Sequence, residues 1–74
     1  MKKIASHALV FLLSGFLLGA WNGRLAVWKD EDPQPVHVFD CRISSLPPAD
    51  QILLRRGIPA ANSQELAALI EDFL

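Results

Sequence analysis

The stretch "GFLLGAWNGRLAVW", residues 15–28, can be read as the end of a membrane-spanning helix or as two β-strands joined at Asn22-Gly23. The hairpin reading accounts for more of its residues. Asn-Gly at the two central positions of a turn accepts the positive φ angles of a type I′ turn, whose twist suits paired strands. Counting outward from that turn, Trp21 faces Arg24, Ala20 faces Leu25, Gly19 faces Ala26, Leu18 faces Val27 and Leu17 faces Trp28. Side chains alternate across a strand, so Phe16, Leu18, Ala20, Leu25 and Val27 share one wholly apolar face. Leu17, Gly19, Trp21, Arg24, Ala26 and Trp28 share the other, which is mixed. A membrane helix gives no reason for this division or for an Asn-Gly pair at its centre.

The rival reading extends to the N-terminus. Residues 4–23 carry no Asp, Glu, Lys or Arg and follow Lys2 and Lys3. Twenty helical residues at about 1.5 Å each reach roughly 30 Å, the thickness of a bilayer's hydrocarbon core. Ser6, His7, Ser14, Gly15, Gly19, Asn22 and Gly23 dilute the apolar content, leaving Ala8 to Leu13 and Phe16 to Trp21 as dense runs. A cleavable signal is poorly matched, with Leu18 two residues before Ala20. No Cys follows the apolar run to carry a lipid. With Phe16 onward assigned to a strand, residues 1–15 become a basic, apolar N-terminal segment, a candidate membrane anchor or targeting segment, and 16–74 the domain.

Beyond the hairpin, "KDEDPQP" (29–35) combines four charges with two prolines and reads as a solvated loop. "VHVFD" alternates Val36 and Val38 against His37 and Phe39 and reads as a third strand. Leu46-Pro47-Pro48 marks a helix start and Gly57 a helix end. Between them Ala49, Ile52 and Leu53 are spaced as a core stripe, with Arg55 and Arg56 in the last turn, where cations favour the dipole. A second helix has Asn62 as N-cap, Glu65 at its third position and a stripe of Leu66, Leu69, Ile70 and Phe73. The expected fold class is α+β: a small antiparallel sheet, hairpin plus third strand, covered by two C-terminal helices.

In this order, "GFLLGAWNGRLAVW", "PVHVFD", "SSLPPADQILLRRGI" and "SQELAALIEDFL" resemble the C-terminal domain of the bypass-of-forespore C (BofC) proteins over about residues 16–74. The features that carry the resemblance are Trp21 near the turn, Gly23 followed by Leu25-Ala26-Val27-Trp28, Leu46-Pro47 with Asp50, Leu54 with Gly57-Ile58, and the closing Glu71-Asp72-Phe73. It implies a compact α+β module of the kind found in sporulation regulators and in short, often membrane-anchored proteins of Gram-positive bacteria. The founding member restrains a signalling protease in the space around the developing spore. This chain lacks that regulator's separate N-terminal domain, and its apolar segment runs straight into the first strand without the usual spacer.

Composition narrows the chemistry. From Arg24 onward five basic side chains face eight acidic ones, which argues against nucleic acid, because phosphate neutralisation needs clustered Lys and Arg. Cys41 is the only cysteine, which leaves no intramolecular disulfide and no Cys-rich metal site. His37 and Cys41, four residues apart on one strand, stand about 13 Å apart at about 3.3 Å per residue, too far for a thiol–imidazole pair. Asp40 with Asp50, and Glu71 with Asp72, read as turn, cap and helix-end carboxylates rather than an acid–base pair. "LPPAD" (46–50) lacks the Thr-Gly of a sortase signal and reads as the helix start.

The expectation is therefore a non-catalytic protein, with no cofactor-binding and no metal-binding residues and another protein as its partner. Trp21, Arg24 and Trp28 are the candidate partner surface, because Trp and Arg are enriched where binding energy concentrates. The N-terminal segment would hold the domain at or outside the cell membrane, with Lys2 and Lys3 in the cytoplasm. The alternative is a single-pass membrane protein with residues 4–23 as a packing helix, Gly15 and Gly19 forming a weak dimer motif.

Overall fold

The computed structural model of the chain describes residues 15–30 and 32–74. The segment 1–14, which holds most of the candidate anchor, lies outside them. Along the chain run β1 (Phe16–Trp21), β2 (Arg24–Lys29), β3 (His37–Arg42), a 3-10 turn (Ile43–Ser45), α1 (Pro48–Arg56), β4 (Ile58–Ala60) and α2 (Ser63–Phe73). The strands form one sheet in the order β3-β2-β1-β4, every neighbouring pair antiparallel. The architecture is α+β, with one more strand than the sequence reading expected.

The hairpin forms in the expected register, Trp21 opposite Arg24 and Leu17 opposite Trp28. Both turn residues have positive φ, 51° at Asn22 and 79° at Gly23, as a type I′ connection requires. A helix over 4–23 is thereby overturned in its second half, because Phe16–Trp21 is a strand. No helix among the described residues is long and apolar enough to cross a membrane.

β3 begins one residue later and ends two residues later than "VHVFD". It carries a bulge against β2: four residue steps from Val38 to Arg42 match two from Ala26 to Arg24. The two extra residues keep the alternation in phase, so Phe39 and Cys41 turn toward the core while Val38, Asp40 and Arg42 stay exposed. Ile43 N–H donates to the Gly23 carbonyl (2.9 Å) and ties the end of β3 to the hairpin turn.

The core lies on the first hairpin face. Leu18, Leu25, Val27, Ile43 and Leu54 are buried together, with Phe16, Ala20, Phe39, Cys41, Leu46 and Ile58 packed around them. Each such large side chain contributes roughly 1.5–3 kcal/mol when fully buried. The α2 stripe is the expected one, since Leu66, Leu69, Ile70 and Phe73 all pack on this cluster. Its start is capped reciprocally: Asn62 Oδ1 accepts from Glu65 N–H (2.9 Å), and Glu65 Oε1 accepts from Ala61 N–H (3.0 Å).

The inward face of α1 differs from the expected stripe. Ala49 is exposed, and Ile52 and Leu53 are 51% and 48% exposed, whereas Leu54 is 1% exposed. The rotation is set at the helix entry. Gln51 Nε2 donates to the Leu46 carbonyl (2.8 Å), fixing Gln51 on the side facing the preceding chain. Leu54, three residues on, then falls on that same side. Gly57 ends the helix, its N–H shared between the Leu53 and Leu54 carbonyls. Arg55 donates to Gln51 rather than to Glu71 or Asp72, so the acidic end of α2 gains no arginine partner among the described residues.

Leu54→Ala is expected to cost about 2–5 kcal/mol in denaturant unfolding, and Leu53→Ala under about 0.5 kcal/mol. Equal losses would return Leu53 to the core. Leu69→Asp places a charge in the α2 stripe, and its thermal melt should lose cooperativity; an unchanged melting temperature would remove Leu69 from the core.

Candidate functional site

The second face of the hairpin contributes nothing to the core cluster. Its central cross-strand pair is Gly19 and Ala26, the two smallest side chains of the ribbon, both buried although no large residue stands at either position. Trp21 and Trp28 flank this pair on opposite diagonals. Their rings meet edge to face, centroids 6.0 Å apart at 72°, a geometry worth about 0.5–1.5 kcal/mol beyond area burial. A Cβ added at Gly19 would stand 3.3 Å from the Trp28 ring and 3.2 Å from the Leu54 carbonyl oxygen. The absence of a side chain at Gly19 therefore admits both the indole and the end of α1.

Trp28 is anchored further by Nε1–H donating to the Pro33 carbonyl at 3.4 Å, which holds the β2–β3 loop against the ring. The same loop closes on itself through Gln34 N–H donating to Asp32 Oδ1 (3.0 Å). Both tryptophans remain half-buried.

Arg24 stands at the turn end of the same face, exposed and directly opposite Arg42. Arg24 Nη1 lies 3.5 Å from Asp40 Oδ1, and the Asp40 side chain is 98% exposed. Asn22, Gly23, Arg24, Arg42 and Ser44 line an open depression of about 320 Å³ at this end. Ser45 Oγ donates to the Arg42 carbonyl (2.7 Å) and fixes the backbone below it.

Trp21, Arg24 and Trp28 thus share one face, as the alternation predicts. Arg42 joins them unannounced, because only the β3 bulge brings it opposite Arg24. The signal in the sequence was its even spacing from Val38 and Asp40 on the outward side of the third strand. His37 and Cys41 lie near opposite ends of β3 with Phe39 between them. The His37 ring packs edge to face on Phe39, 4.4 Å between centroids.

No family model matches the chain, and no curated protein or solved structure is detectably similar to it.

Gly19→Ala should destabilise the fold by about 1–3 kcal/mol, since the added methyl meets an indole and a backbone carbonyl together. Denaturant unfolding measures it, and stability equal to wild type would show that Trp28 is free to move aside.

Proposed function

We propose that the chain is a non-catalytic protein-interaction module, of the regulatory kind its resemblance to the bypass-of-forespore C C-terminal domain implies. The residues that would carry it are Trp21, Arg24 and Trp28. The observation that supports this reading is the second sheet face: two ordered indoles and an arginine lie together outside the core. Aromatic side chains on a rigid scaffold bind at low entropic cost, because few torsions are left to fix, and Arg adds directed donors. The partner on this reading is another protein. The N-terminal segment, with Lys2 and Lys3 ahead of an apolar run, would hold the module at the membrane with the domain outside.

The test is a paired substitution in the full chain, Trp21→Ser with Arg24→Ser, expressed with an affinity tag and cross-linked in cells. A melt that stays cooperative, lowered only by the lost Trp21–Trp28 contact, with loss of the partner cross-linked by wild type, is the expected result. Recovery of the same partner in the same yield would exclude this face. Protease added to intact protoplasts is expected to remove the domain; a protected domain would place it inside.

A further inference from the structure

Arg24 and Arg42 are cross-strand partners, and like charges placed directly opposite each other destabilise a sheet. Asp40, in the bulge between them, reaches Arg24 only at 3.5 Å and is almost wholly exposed, so it contributes little to offsetting the repulsion. Among the described residues no carboxylate reaches Arg42. Two arginines therefore line one open depression, with Asn22, Gly23 and Ser44 completing its lining. Trp21 is the neighbour of this depression along the face, since it pairs with Arg24 across the turn.

Resting on the proposed function, we infer that this depression takes a carboxylate from an acidic segment of the partner protein, held between Arg24 and Arg42, with apolar side chains of the segment on Trp21 and Trp28. Charge complementarity commits the site to that occupant. A carboxylate accepts two parallel N–H bonds from a guanidinium, and one placed between two arginines relieves their repulsion. Asp40 repels any anion that engages Arg24, and a dianion about twice as strongly as a carboxylate, because the repulsion scales with the ligand's charge. A membrane surface is disfavoured by the same count. Attraction to anionic lipid needs several basic residues in one patch, and here there are two arginines with one aspartate beside them.

The experiment is a fluorescence titration of the full chain, whose only tryptophans are Trp21 and Trp28, with an acetylated, amidated Glu-Leu-Glu-Phe-Glu peptide and its Gln-Leu-Gln-Phe-Gln analogue. The acidic peptide should saturate the signal, and the Gln analogue and the Arg42→Gln variant should each bind at least about tenfold more weakly, the scale of one lost charge-assisted pair. Asp40→Asn should bind more tightly, a gain that a folding defect would not produce. Equal binding of the two peptides would leave the face an apolar partner surface and overturn the carboxylate site alone. No saturation by either peptide up to millimolar concentration would overturn the site, and the cross-linking result would decide the fate of the face separately. Binding to phosphatidylglycerol-containing vesicles that falls with Arg42→Gln, without peptide binding, would assign the arginine pair to lipid headgroups and overturn the proposal.

Discussion

The pairing of Ala20 with Leu25 across the Asn22-Gly23 turn determines the facing of every other side chain in the sheet. With a side-chain period of two, a slip of one residue between the strands would turn one of them over, setting the β1 residue Leu18 and the β2 residues Leu25 and Val27 on opposite faces and splitting the core. Positive φ at both turn residues prevents the slip, because few other pairs accept that backbone at two successive positions. The other elements add to this ribbon: β3 on β2, β4 on β1, and the apolar side chains of both helices on the face that Leu18 and Leu25 define. In a chain this short, the burial of those few large residues carries most of the stabilisation, so an error of register would leave little to hold the fold.

Legibility in the sequence followed how local each interaction is. The hairpin was readable because its turn chemistry and its alternation sit within fourteen residues and agree. The α2 helix was readable because its cap and stripe are likewise contiguous. β4 was not: Ile58-Pro59-Ala60 has no room for alternation, and a central proline ordinarily marks a break. It is accommodated because β4 is an edge strand, which Pro tolerates, and because its register is set by pairing with Phe16–Leu18, some forty residues earlier. The facing of α1 failed for a related reason. Ala49, Ile52 and Leu53 have helical spacing, but a stripe defined by hydrophobicity alone does not know which way the preceding chain enters, and the Gln51–Leu46 bond decides that.

The candidate surface divides in the same way. Trp21, Arg24 and Trp28 were grouped correctly by period-two counting from one turn. Arg42 was out of reach, because joining it to them requires the bulge between Val38 and Arg42, and a bulge leaves no periodic trace in a strand of six residues. The bulge also shapes the electrostatics. It brings Asp40 beside Arg24 and leaves Arg42 facing Arg24 across the ladder, a like-charged pair at the end of an otherwise regular ribbon.

Core and partner surface are not competing descriptions of the two tryptophans. The backbone around Gly19 and Ala26 is closed off by the indoles from within the ribbon and, at Gly19, by the end of α1. Gly19 ties the two roles together. Its missing side chain lets Trp28 sit down onto the strand, on the face that also carries Arg24 and Arg42. A substitution that lifts Trp28 would therefore disturb the fold and the outer surface together, whereas one at Arg24 or Arg42 leaves the core packing in place and relieves the like-charged pair.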